Sequence, residues 1–484
     1  MIFEETEKFY EQNNEVFNKF ERFVNAAFDI DNDTSSRTIK RILVQFISKR
    51  SRIDIFSRSL ICISCFFLFP LFIYLLVLYV LSKKDINKTT YGDIIFDCWG
   101  NNNKDNKVYY ERFYKKLKDM LVNKKIAILE PNMPKKNHEV SFSQEMDAIN
   151  YSYRLDRIII GRIIKYFTSN IITIIKLSLQ SNINFILIFT KILRQFIYHQ
   201  RNVQKIKNIE YLISAGDNYY TPLMYAIYKK NSIQNILLIQ NGFRTEESDS
   251  AFYITCDNYF SLNTSMIPNY LGLKAKCIDH IGSLRLYNSI SNININEQNY
   301  DIVFIETIAE NSILNNKNHS LYNLMINYFQ AFELLAEFSR KNNTIKIIYR
   351  VKTKDYGKES STFLQRRNDI IASSNIILDD DIHNNSYEAI LDSKVIVYSH
   401  STMGYESILL GKKILCCNFG KFNFLLSQND EIGVITKKDY KSFEDKLLNL
   451  LSDKKEVDFY FQEKRKVYGD VCENPYKIIC DNIN

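Results

Sequence analysis

Hydrophobic and polar positions divide the chain into three zones. The first residues carry Phe9, Val16, Phe17, Phe20, Val24 and Phe28 near helical spacing among many charges, which predicts amphipathic helix over 1–56. A run of 22 residues without a charge follows, Leu60 to Leu81. As a straight helix it spans roughly 33 Å, close to the ~30 Å hydrocarbon core of a bilayer. Pro70 near its middle removes a helical hydrogen bond and invites a bend. Lys49, Arg50, Arg52 and Arg58 precede the run, and Lys83, Lys84 and Lys88 follow it, so the positive-inside rule favours both flanks in the cytoplasm. That pattern reads as a re-entrant hairpin or a single span, with everything after Lys84 on the cytoplasmic face of the membrane.

Beyond this segment, short apolar runs bounded by polar turns alternate with helical patterns. Strands are expected at 92–99, 124–131, 208–217, 235–243, 251–258 and 274–283, and then, after a polar Ser- and Asn-rich stretch, at 301–307, 344–352, 375–378, 394–398 and 413–418. Helices are expected at 109–122, 221–230, 321–340, 388–391, 403–410 and 443–451. Such alternation predicts parallel sheets covered on both faces. The fold class is therefore α/β with two Rossmann-like domains facing a cleft, plus an N-terminal helical region with a membrane-inserted segment. The segments are 1–58, 59–84, 85–283 with a helical insertion near 150–205, 284–470, and a tail 471–484. The insertion is apolar yet studded with Arg157, Arg162, Lys165, Lys176, Lys191 and Arg194, which suits a membrane-surface helix or helices packed on the sheet.

Composition changes this picture little. The 484 residues exceed one core, and the net charge of +8 suits anionic lipid or a nucleotide diphosphate. No pattern of a nucleic-acid-binding module is present. Nine cysteines, including the adjacent Cys416 and Cys417, read as small buried hydrophobes in a reducing compartment. The six His do not cluster for zinc, and Asp379-Asp380-Asp381 reads as an acidic surface run rather than a metal site. Neither a metal nor a cofactor is expected.

The chemistry concentrates in 394–420. A buried strand ends at Tyr398, a polar turn Ser399-His400-Ser401-Thr402 follows, and a helix begins at Met403. Hydroxyls and backbone N–H groups at a helix N-terminus form an anion site suited to a diphosphate. Glu406, one turn in, is placed to meet the hydroxyls of a ribose. Each residue alone has a plainer reading, as a helix cap or a first-turn acid. Asp217, at a carboxyl-terminal strand end, is a candidate base for an acceptor hydroxyl, or else a cap for the following helix.

The segment S-T-x-G-Y-E-x-x-x-x-G-K-K, at Ser401 to Lys413, resembles the donor-site motif of bacterial surface-carbohydrate and capsule biosynthesis transferases with the GT-B fold. Ser401, Thr402, Gly404 and Glu406 match it, and Ser399 more loosely. The resemblance implies a metal-independent glycosyltransferase that uses a nucleotide-sugar as substrate and a lipid-linked glycan as acceptor. It implies that Arg350 and Lys352 neutralise the departing diphosphate. It aligns Gln240-Asn241-Gly242 with a Gln-His-Gly segment at the cleft, where Asn241 replaces a His and cannot act as a base. Ser283 falls in a Gly-Ser hinge, with Arg285 behind it. A polyol-phosphate transferase of the teichoic-acid type and a non-catalytic scaffold in polysaccharide assembly are the alternatives.

Overall fold

The structure is a computed structural model that describes residues 2–48, 58–82, 92–98, 109–130, 147–150, 155–204, 206–231, 233–242, 252–262, 272–290, 293, 298–306, 322–351, 361–380, 382–420, 422, 432–452, 454–468 and 472–483. The flanking basic residues Lys49, Arg50, Arg52, Lys83, Lys84 and Lys88, and the candidate Lys352, lie outside the described residues. The chain forms two units. One comprises Met1–Ser261, Ile267–His280 and Tyr476–Asn484, and the other Leu262–Met266 and Ile281–Pro475.

The first unit holds a seven-stranded sheet of β1 (Ile94–Asp97), β2 (Ile126–Glu130), β3 (Asp147–Asn150), β4 (Ile209–Ser214), β5 (Ile233–Ile239), β6 (Asn258–Ser261) and β7 (Cys277–His280). Its order is β3-β2-β1-β4-β5-β6-β7, and every pair is parallel. The second unit holds β8 (Tyr300–Ile305), β9 (Ile347–Arg350), β10 (Ile376–Asp379), β11 (Ser393–Tyr398), β12 (Lys413–Cys417) and β13 (Val434–Ile435). These are also parallel, in the order β10-β9-β8-β11-β12-β13. Strand β1 is buried along its length, and β11 and β12 are buried from Val395 and Ile414 onward, as a sheet covered on both faces requires. Strand order reverses between β1 and β4 and between β8 and β11, the kind of position at which ligands meet open α/β sheets. Two Rossmann-like units are therefore present.

Several expectations need correcting. Residues 252–257 do not form a strand: they make one bridge, Thr255 to Lys274, and the strand starts at Asn258. The β3 and β13 strands were not expected, because four and two residues leave too short a pattern to read. The last residues are no free tail: Asn482 accepts a bond from Asn258, and Tyr476 is buried in the first unit.

The N-terminal helices Asn14–Phe28 and Asn32–Ser48 share the first unit's core with the helices Arg157–Ser181 and Phe185–Val203. Phe17 and Phe20 both meet Phe185, while Phe28 meets Phe196. The apolar segment forms helices Arg58–Phe66 and Leu68–Leu81, separated by Phe67 alone, whose backbone stays right-handed helical. No reversal of direction occurs there: the segment is a helix interrupted at Phe67, three residues before Pro70. Its second part packs along Arg157–Ser181. Arg157 donates to the Ser82 carbonyl at 2.9 Å and covers the Tyr79 ring, and Asn184 donates to Ser64 at 2.8 Å.

Candidate functional site

In the second unit, β11 carries its buried apolar residues to Tyr398 and ends in the expected turn. Ser399 is fully buried. Asn327, on the helix Tyr322–Lys341, donates to the Ser399 hydroxyl and to the Cys417 carbonyl, and its oxygen accepts from the backbone of Phe419 and Gly420. One amide thus ties the carboxyl ends of β11 and β12 together. Above it, His400, Ser401 and Thr402 are partly exposed. Ser401 caps the helix Thr402–Leu409 by accepting from Met403 N at 3.2 Å, and its carbonyl accepts from Gly404 N. An anion meeting this helix end gains from its dipole but competes with the Ser401 cap for donors.

Gly404 has a steric reason to be glycine: a Cβ there would fall inside the Tyr398 ring. Glu406 is 0% exposed rather than facing a pocket. It accepts from Ser283 at 2.5 Å and Tyr387 at 2.9 Å, with Arg285 at 3.6 Å. Burial, then the Glu406 charge, raises the Tyr387 pKa. The Tyr387 phenol, then Glu406, raises that of Arg285. Ser283 and Arg285 therefore meet Glu406. As the residues stand, Glu406 organises the unit's interior, and a ribose would reach it only by displacing these partners.

Arg350 ends β9 in the interior, bonded to Asp379 at 3.1 Å and to the His383 carbonyl at 3.0 Å. Asp379, expected on the surface, is 0% exposed. His383 bridges Asp379 at 2.8 Å and Asp392 at 3.1 Å. Burial works against its charged form, but the two carboxylates prevail and raise its pKa. Arg350 is thus one end of a buried ionic chain, and a departing diphosphate would meet it only if that chain opened.

In the first unit, Asp217 is also 0% exposed and accepts from Tyr259 at 2.8 Å. It begins a short 3₁₀ turn, while Thr221, not Asp217, caps the helix Pro222–Lys230. Gln240 is buried and donates to the Gly242 carbonyl at 3.1 Å. Asn241 donates to Tyr109 at 2.9 Å. Sequence reasoning passed over Asn327, His383 and the pair Ser261–His280 at the ends of β6 and β7. No motif marks them: Asn327 meets partners 72 and 90 positions away, and the short spacings of His383 to Asp379 and Asp392 match no familiar pattern. Among the described residues, no three His, Cys, Asp or Glu converge as a metal site requires. A cavity of about 200 Å³ lies away from all these groups, beside Asp29, Asp156, Arg162 and Lys230. Arg162 and Lys230 both pair with Asp29, so its charges are matched internally.

Residues 237–430 match a family model described as "putative O-antigen biosynthesis protein". That agrees with the resemblance to surface-carbohydrate biosynthesis proteins and includes the whole Ser399–Glu406 segment. No curated protein matches the chain. Solved structures similar to it include a "putative UDP-N-acetylglucosamine 2-epimerase" from Listeria monocytogenes, at 12% identity and a TM-score of 0.45, covering 81% of this chain and 95% of that one. The S. aureus protein MnaA with UDP is similar at 11% identity and a TM-score of 0.44, covering 81% and 95%. The wall teichoic acid polymerase TagF is similar at 13% identity and a TM-score of 0.41, covering 94% and 97%.

Proposed function

We propose that the protein is a glycosyltransferase that moves a sugar from a nucleotide-activated donor to a lipid-linked or growing surface polysaccharide at the cytoplasmic face of a membrane. One observation carries the reading. The matched segment forms a strand–turn–helix at the point where strand order reverses in the second unit, with partly exposed His400, Ser401 and Thr402 on a base fixed by Asn327. A turn of this kind offers hydroxyls, an imidazole and the positive end of a helix to a diphosphate. Glu406, Ser283 and Arg285 hold that helix from below, so they contribute to donor binding by positioning it. Membrane attachment draws its support from Ile61–Leu81 and Arg157–Ser181. Both are long and apolar enough to cross a membrane by length and composition, with mean hydropathies of 2.7 and 1.5.

The test is a thermal-shift series on detergent-purified protein with UDP, CDP, GDP and the matching monophosphates, beside Thr402→Val. Thr402 suits this role because the Glu406→Ala exchange would disturb a buried cluster and confuse binding with stability. One diphosphate raising Tm more than its monophosphate, with the shift reduced in Thr402→Val, is the expected result. No shift with any nucleotide would sink the donor site and leave the scaffold reading in its place.

A further inference from the structure

Two helices of the first unit are long and apolar enough to cross a bilayer, Ile61–Leu81 and Arg157–Ser181, and the way each is held decides whether it does. They run antiparallel along one another. Asn184, just past the end of Arg157–Ser181, donates to Ser64 at 2.8 Å, and Arg157 at its start donates to the Ser82 carbonyl at 2.9 Å. The charged helix Asn14–Phe28 lies along Arg157–Ser181 as well. Its Phe17 and Phe20 meet Phe185 beyond one end, and Asp29 pairs with Arg162 near the other at 2.6 Å. This third helix exposes Glu15, Lys19 and Arg22, and Arg157–Ser181 itself exposes Lys165 and Lys176. A hydrocarbon layer enclosing the pair from end to end would also take in these charges, each at a cost. Bonding within the unit gives the same answer. Arg37 donates to the carbonyls of Ile254 and Gly272 at 3.1 and 2.6 Å, and Asp33 pairs with Lys274 at 2.6 Å. A crossing by Ile61–Leu81 alone would part those partners. A crossing by Arg157–Ser181, alone or together with the first helix, would part β1 from β4, which pair from Ile94 and Tyr211 to Asp97 and Ser214.

From this geometry we infer that neither helix crosses the membrane: the pair lies in the membrane plane, sunk into a single leaflet of a phospholipid bilayer, with the whole first unit on one side. The inference rests on the membrane attachment read above and not on the transfer chemistry. Ile61, Leu68, Leu75 and Leu78 are buried and hold the first helix to the unit. Phe66, Ile73 and Val80, spaced seven residues apart and so on one helical face, are exposed. Apolar surface of this extent, presented by a helix that stays attached along its length, fits the acyl chains of one leaflet at the usual depth of about 5–10 Å for interfacial helices. Lys165 and Lys176 then stand at the level of the lipid phosphates, their stems along apolar surface and their ammonium groups in the headgroup layer.

The experiment reads depth directly. Phe66→Trp, Ile73→Trp and Val80→Trp are made singly in the full chain and reconstituted into vesicles of phosphatidylethanolamine and phosphatidylglycerol. The vesicles carry lipids brominated either near the headgroup or near the end of the acyl chain. Wild-type protein supplies the background from Trp99. The three positions are expected to be quenched alike, and more by the shallow bromines than by the deep ones. In a crossing helix Ile73 would lie roughly 10 Å deeper than Phe66, from seven residues at 1.5 Å each. Quenching of Ile73→Trp chiefly by the deep bromines, with the two outer positions shallow, would overturn the inference and leave membrane attachment standing. A second measurement needs no internal substitution. Protease-cleavable tags before Met1 and after Asn484 are both expected to be cut from outside in inverted membrane vesicles of expressing cells, whereas protection of the first tag alone would establish a single crossing. Absence of quenching at all three positions would remove membrane attachment and this inference with it, while the nucleotide thermal shift decides the transferase reading separately.

Discussion

Gly404 and Glu406 stand two residues apart in one helix turn, and each is required for a reason of packing. At Gly404 any side chain meets the Tyr398 ring, which is itself buried at the end of β11. Gly404→Ala is expected to cost about 1–3 kcal/mol, the usual scale for overpacking a filled interior. The cost should fall when Tyr398→Leu is added, and urea unfolding of the single and double variants reads this directly. Equal costs in both backgrounds would mean that the ring is not the obstacle. Both identities were legible in the sequence because the strand–turn–helix spacing is local. Their reasons were not. Ser283 lies 123 positions from Glu406, and no spacing rule announces such a pair. Asp379 shows a related limit: three adjacent acids read as surface, yet Arg350, 29 positions away, and His383, four positions on, neutralise one of them.

At the scale of elements, periodicity identified what was long and missed what was short. The helix Tyr322–Lys341 was readable from its apolar stripe, yet Asn327 within it gave no hint that it faces two strand ends. The apolar segment was equally plain, and its break at Phe67 was not, because the charges around it argued for a reversal that the backbone does not make. The second helix of this segment, Leu68–Leu81, leaves Phe69, Val80 and Leu81 largely exposed, and Phe66 and Phe67 beside it are exposed as well. Exposed side chains of this size, placed together, mark an interaction surface rather than a core. Ile158 and Ile172 add to the exposed apolar surface on the neighbouring helix Arg157–Ser181. Replacing Phe66, Phe69 and Val80 together by Asp is expected to move the protein from the membrane fraction to the soluble fraction on cell lysis, since an acid costs about 2.5–3.5 kcal/mol at the centre of a membrane helix. Far-ultraviolet circular dichroism should be unchanged, because these side chains contribute little to the core. A triple variant that stays with membranes through a salt wash would place the attachment elsewhere.

Over the whole molecule, the restart of the strand–helix pattern after 299 was enough to reveal two sheets, whereas membership of each unit was not local. Residues 2–48 and 476–483 belong to the first unit although nearly the whole chain separates them. The two units also bury their histidines in opposite ways, which gives them opposite responses to pH. In the first, His199 is 4% exposed, its Nδ1 lacks a partner, and burial followed by Arg41 lowers its pKa to about 3. As pH falls through about 6.5, the unfolded chain binds a proton that the folded unit refuses, so stability declines from there toward the folded value. In the second unit, Asp379 and Asp392 raise the His383 pKa. Its contribution is complete below about 6.5 and is lost as pH rises through the folded value. Lys412, lowered by burial to about 8, works the other way above that pH, where the unfolded chain holds its proton longer. Calorimetry from pH 4 to 8 on the wild type, His199→Phe and His383→Gln separates these terms. The His199→Phe protein should gain on the wild type as pH falls from 7 to 4. The wild type should lose its advantage over His383→Gln as pH rises from 6 to 8. A difference between wild type and variant that stays flat with pH would show that the histidine concerned keeps the same proton affinity folded and unfolded, and so is not held as its buried contacts require.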